Sequence, residues 1–158
     1  MTMTIVPMQE QHINGCAEIM ATTSLWRDYY GVTYERSVQS FASGLADQRQ
    51  IFLVALHGTQ VVGFTDYIEY GAFFFGSYLR LLAVHEDYRG QGIGTQLITR
   101  VEANVREQTP NLFLIATQEN TVAHHFYQKI GYKHVGMLPD FVVPGITEFI
   151  FWKRLIRI

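Results

Sequence analysis

The sequence predicts a mixed α/β domain, and three observations carry that prediction. Short apolar runs of strand length alternate with stretches whose apolar residues recur at helical spacing. Two of the strand runs flank a short turn containing glycine, which is a hairpin signal. A further strand run leads through a glycine-rich loop into a helical pattern. The order is strand, two helices, three strands, helix, strand, helix, two strands, without internal repeats, charge blocks or low-complexity tracts. We therefore read residues 1–158 as a single domain, long enough to bury roughly 70% of its unfolded surface without disulfides or metals.

Thr2 to Pro7 reads as the first strand. A helix is predicted over Gln9 to Thr22, with Ile13, Ala17 and Met20 on its apolar side, and a second over Tyr34 to Leu45. Trp26 to Gly31 between them is too aromatic for an idle linker and too irregular for an obvious element. Ile51 to Leu56, the turn His57-Gly58-Thr59-Gln60 and Val61 to Phe64 give the hairpin. The aromatic run Gly71-Ala72-Phe73-Phe74-Phe75-Gly76 reads as a strand connection, or, if it is exposed, as a groove lip or dimer contact. Strands follow at Ser77 to Val84 and Leu112 to Thr117, with a helix between them whose stripe is Ile93, Leu97, Ile98, Val101 and Val105. Asn120 or Thr121 caps the next helix, and Gly131 suits its left-handed stop. Strands at Lys133 to Leu138 and Ile146 to Arg154 close the chain around a proline-marked loop, Pro139 to Gly145.

The chemistry is concentrated in Arg89-Gly90-Gln91-Gly92-Ile93-Gly94-Thr95, at the strand-to-helix junction. First-turn N–H groups have no intrahelical partner and the helix dipole is positive there, so an anion is the natural occupant. Glycine keeps a Cβ out of the path to those amides, and Gly92 and Gly94 are expected to be the hardest to replace. A P-loop requires Gly-Lys-Ser/Thr, which is missing, and Thr95 stands where a dinucleotide fingerprint needs its third glycine. What remains is Arg-x-x-Gly-x-Gly after an apolar strand. A second segment, Asn120 to Tyr132, supplies an asparagine, Tyr127 and a glycine–aromatic pair.

Together these motifs resemble the GNAT acetyltransferases from about Tyr78 to Tyr132, and the remaining layout fits that family. The resemblance implies the GNAT fold: a central mixed, mostly antiparallel sheet of six to seven strands with helices on both faces. It also implies that the fourth and fifth strands part near their middle, leaving backbone groups of Leu82, Ala83 and Val84 for the pantetheine arm of acetyl-CoA. Arg89, Gly90, Gln91, Gly92, Ile93, Gly94 and Thr95 would hold its pyrophosphate. Tyr127 matches the tyrosine that protonates the departing thiolate, and Asn120 would either bind pantetheine or only cap its helix. The strand glutamate that serves as base in several members is replaced by Tyr78. Asp66, Glu69, Glu86, Glu148 and His85 are the remaining sources of a relay, and none is assigned.

The expected reaction is transfer of acetyl from acetyl-CoA to a primary amine of a small molecule or peptide; a catalytically weak acyl-CoA-binding regulatory module is the alternative. The acceptor is expected between Trp26 to Tyr34 and Pro139 to Gly145. There Trp26, Tyr29, Tyr30 and Phe141 offer aromatic faces, and Asp28 and Asp140 offer charge to an ammonium group. A net charge of −2 gives no basic field for nucleic acid or an anionic membrane. Cys16 is the one cysteine, so no intrachain disulfide forms, and a cytoplasmic monomer or homodimer is expected. No run approaches the ~18 apolar residues of a span or a leader core. The six histidines lack metal-site spacing, so no metal is expected.

Overall fold

A computed structural model describes residues 2–155. One seven-stranded sheet runs through it: β1 (Met3–Pro7), β2 (Gln50–His57), β3 (Gln60–Ala72), β4 (Gly76–Val84), β5 (Asn111–Thr117), β6 (Lys133–Pro139) and β7 (Thr147–Arg154). Their spatial order is β1-β2-β3-β4-β5-β7-β6. Only β4 and β5 are parallel among these neighbours. The helices are α1 (Ile13–Thr22), α2 (Ser24–Tyr30), α3 (Tyr34–Ala46), α4 (Ile93–Val105) and α5 (Thr121–Lys129).

Alternation along the strands sends side chains to two cores. Leu53, Ala55 and Val62 pack with Leu97, Ile98 and Val101 of α4 and with Phe151 of β7. Phe52, Val54 and Phe64 pack with Cys16, Ala17 and Ile19 of α1 and Phe41 of α3. Helices thus cover both faces. Cys16 is fully buried, and burial pushes its thiol up to about 12, so it packs as a small apolar residue.

Three elements depart from the sequence prediction. The helix expected from Gln9 opens as a 3-10 turn over Glu10–His12, in which His12 Nδ1 accepts the Gln9 N–H at 3.0 Å. Trp26 to Tyr30, expected to be irregular, belongs to α2, which stops on left-handed Gly31 (φ 59°). It has seven residues and buries none fully, so no apolar stripe announces it. Strand β3 continues eight residues past Phe64 to Ala72. Its extension hides polar groups instead of exposing them: Thr65 Oγ1 donates to the Leu81 carbonyl at 2.8 Å, and Asp66 pairs with Arg80 at 2.6 Å. Phe73, Phe74 and Phe75 form the β3–β4 turn and are 75–86% exposed.

One largely buried polar cluster ties α4 to the β6–β7 end of the sheet. Glu102 of α4 accepts from Tyr132 Oη at 3.0 Å and pairs with Lys153 of β7 at 2.9 Å. Truncating Glu102 to alanine leaves a partly exposed ammonium and a buried phenol without their acceptor, so a loss of about 1–3 kcal/mol in urea-unfolding stability is expected. A midpoint unchanged from the parent would show that water replaces the carboxylate at no cost.

Candidate active site

Ladder pairing between β4 and β5 covers only Ser77 with Leu112, Tyr78 with Phe113 and Leu79 with Leu114. Beyond Leu79 the strands part, while β4 keeps its pairing to β3 through Val84. A cavity of about 500 Å³ lies at this parting, between Tyr78–Leu82 of β4 and Leu114–Thr117 of β5.

Gly92 is the N-cap of α4, in a left-handed conformation at φ 80°, and no side chain caps the helix. The first intrahelical bond runs from Gln96 N–H to the Gly92 carbonyl at 3.0 Å, so the amides of Ile93, Gly94 and Thr95 have no helical acceptor. Gly90 also has positive φ (74°), and a Cβ at Gly90 or Gly92 would meet nothing within 4 Å. Both glycines therefore answer to backbone conformation and to an open approach, as a phosphate cradle requires. Gly94 differs from the expectation: its φ is not positive, and a methyl there would meet Phe126 at an ordinary 3.5 Å. The Arg89 side chain folds back, its Nε donating to the Val84 carbonyl at 3.1 Å. Leu82 lines the cavity, whereas Ala83 is buried in the core.

Tyr127 of α5 lines the cavity. Its ring packs against Phe126 (5.1 Å) and Tyr132 (5.6 Å). Burial, with a smaller contribution from Tyr78, pushes its phenol above the ordinary tyrosine range, so it stays protonated. Asn120 lines the same cavity and caps α5, its Oδ1 accepting the Ala123 N–H at 3.2 Å.

Of the carboxylates weighed from sequence, only Glu148 lines the cavity. It is 2% exposed and accepts a short 2.5 Å bond from Tyr30 Oη, which also contacts Thr117 Oγ1 at 2.7 Å. Burial and the bond to Glu148 push the Tyr30 phenol up to about 12. Asp66 is buried behind Arg80; desolvation raises its carboxyl and Arg80 opposes that rise. His85 Nδ1 accepts the Asp87 N–H at 3.2 Å, and Glu69, Glu86 and His85 are all outside the lining.

Trp26 and Tyr30 line the cavity; Tyr29 and Phe141 do not, and are 41% and 59% exposed. Val142 takes the place foreseen for Phe141. Asp28 pairs with Arg27 on the surface, and Asp140 Oδ1 accepts the Gly145 N–H within its own loop. Arg36 and Arg80, which sequence reasoning passed over, do reach the cavity. Neither is in a motif; the signal for Arg80 was its place amid an apolar strand. Among the described residues no group of three His, Cys, Asp or Glu side chains could hold a metal, and no helix is long and apolar enough to cross a membrane.

Comparison with known proteins agrees with this geometry. Residues 19–132 match the family model described as the acetyltransferase (GNAT) family, and the chain belongs to that family. It is 40% identical over 78 residues to the blasticidin-S acetyltransferase of Streptomyces morookaense, a match covering 48% of this chain and 54% of that protein. It is 36% identical over 71 residues to the N-acetylaspartate synthetase of Xenopus tropicalis, covering 44% and 26%. The matches thus span about half and about a quarter of these relatives' lengths. The fold is that of an aminoglycoside 6'-N-acetyltransferase solved with coenzyme A (20% identity, TM-score 0.79, 98% of both chains covered). It is also that of an acetyltransferase from Thermus thermophilus (20%, TM-score 0.79, 98% of this chain and 97% of the other).

Proposed function

We propose that this protein transfers acetyl from acetyl-CoA to a primary amine by direct attack, with Tyr127 as the acid that protonates the thiolate. The observation that carries the proposal is the cavity at the β4–β5 parting, lined by Tyr127 and by strand residues that lack a β5 partner beyond Leu79. The uncapped α4 N-terminus, with open space at Gly90 and Gly92, suits the pyrophosphate of the cosubstrate. Pantetheine amides fit unpaired strand groups, and a β4 N–H can polarise the acetyl carbonyl. The two named relatives act on unrelated acceptors, so their names do not choose one for this chain.

The acceptor ammonium loses one proton to solvent before attack. A C–N bond then forms as the C–S bond breaks, Tyr127 gives its proton to sulfur, and the proton released as the amide forms restores the phenol through water. Calorimetric titration with CoA, followed by thiol release with a panel of amines, tests the scheme. CoA binding without thiol release from any amine would favour the regulatory alternative.

A pH dependence follows. The Tyr127 phenol is held above its ordinary value near 10, so it remains the acid across the alkaline range. Saturated-CoA rates are expected to rise with pH as the acceptor deprotonates, without an alkaline fall below about pH 10. A descending limb near pH 8 in kcat would exclude Tyr127 as its source and point to a more acidic donor.

A further inference from the structure

We infer that the acceptor is an amino acid with a free carboxylate, its ammonium held by Glu148 and its carboxylate by Arg36 and Arg80. This rests on reading the cavity as the acceptor end of an acetyl-transfer site. Three charged side chains line that cavity, one acidic and two basic. Glu148 is 2% exposed, and its hydrogen-bond donor, Tyr30, is neutral. Among the described residues no Lys, Arg or His pairs with Glu148. A buried carboxylate in that position is stabilised by an arriving cation.

Arg36 is complementary. It is in the first turn of α3, whose N-cap Thr33 accepts the Arg36 N–H at 3.3 Å, and it is an exposed residue at the rim of the cavity. Among the described residues it has no acidic partner. Arg80 pairs with Asp66 through Nη1 alone, and the Asp66 Oδ1 atom is buried without a donor, so Arg80 is anchored from behind while most of its guanidinium fork is uncommitted. Two guanidinium groups in one small cavity suit a carboxylate, which accepts such forks bidentately. They oppose a polycation, whose extra charges would approach them in a medium that screens poorly. A monoamine without a second charged group would satisfy Glu148 as its ammonium and leave Arg36 unmatched. The volume, about 500 Å³, is that of a small-molecule site.

The test uses the purified protein at saturating acetyl-CoA with the common L-amino acids, the methyl esters of those that react, spermidine and kanamycin. At least one free amino acid is expected to exceed its own ester and both polycations by about tenfold or more in kcat/KM. In Arg36→Gln, an exchange on the exposed start of α3, the acid-to-ester ratio should fall toward one, mainly through KM for the acid. An ester that matches its acid, a preferred polycation, no turnover of any amino acid, or an unchanged ratio in Arg36→Gln would each overturn the inference. Calorimetry with CoA separates the two readings. A protein that binds CoA and acetylates only polycations keeps the acetyl-transfer reading and loses this one; a protein that does not bind CoA loses both.

Discussion

Tyr127→Phe is expected to lower kcat by about 10²-fold while leaving acetyl-CoA affinity near the parent value. The exchange removes one oxygen from a ring already fixed by aromatic neighbours on three sides, Phe126, Tyr132 and Phe151. Packing should therefore survive, and the thermal midpoint should move little. What is lost is a proton donor kept neutral chiefly by burial, in a cavity where a developing thiolate would otherwise be poorly solvated. Rapid-quench single turnovers isolate the chemical step from product release. If that step runs at the parent rate, sulfur takes its proton from water and Tyr127 only packs. Tyr78→Phe is the matched comparison, because Tyr78 lines the same cavity and burial also raises its phenol.

Gly92→Val is expected to weaken CoA binding by about tenfold or more while the chain remains folded. A side chain at Gly92 meets no protein atom within 4 Å, so nothing internal clashes. It does project a branched group beside the free amides of the α4 first turn, and it must adopt φ near 80°, which β-branched residues resist. Part of any effect will be backbone strain. Gly145→Val controls for it: Gly145 has φ 83°, also meets nothing within 4 Å, and lies in the β6–β7 loop. Calorimetry on both variants should show a CoA defect in the first alone. Equal affinities in the two, with both folded, would remove the loop from the binding site.

Much of this was legible because the relevant signals are local. A strand, a glycine loop and a helix stripe follow one another directly between Ser77 and Val105, so their junction could be read from one short stretch, and Asn120 to Tyr132 announced itself through its cap and stop. The family match over residues 19–132 includes both stretches. The α2 helix escaped notice because its stabilisation comes from a tertiary position and a glycine stop, with no buried stripe to print a period. The β3 extension was missed because Thr65 and Asp66 look like turn residues until Leu81 and Arg80 arrive across the ladder.

The acceptor side was the least legible. Tyr30 is 118 positions from Glu148, and no spacing rule links an aromatic residue of α2 with a carboxylate of β7. Asp28 and Asp140 drew attention as charges near aromatics, yet each is satisfied within its own loop or by its chain neighbour. The cavity's charge pattern is set by Glu148, Arg36 and Arg80, three residues from three elements. Only folding brings them together.

Where β4 and β5 separate, the sheet acquires two free edges in its interior. Exposed edges elsewhere invite pairing with other chains and are usually blunted by charge, proline or a covering loop. Here the parted strands are walled in by α5 and α2 side chains, among them Tyr127, Asn120 and Trp26. A stray strand has no lateral access, whereas a slender chain carrying its own amides could thread the gap. Amide hydrogen exchange would report this directly: β5 stays laddered to β7 from Ile115 to Thr117, so N–H groups of that stretch that point to β7 should remain protected, while those that point into the β4 gap should exchange first and gain protection when CoA is added.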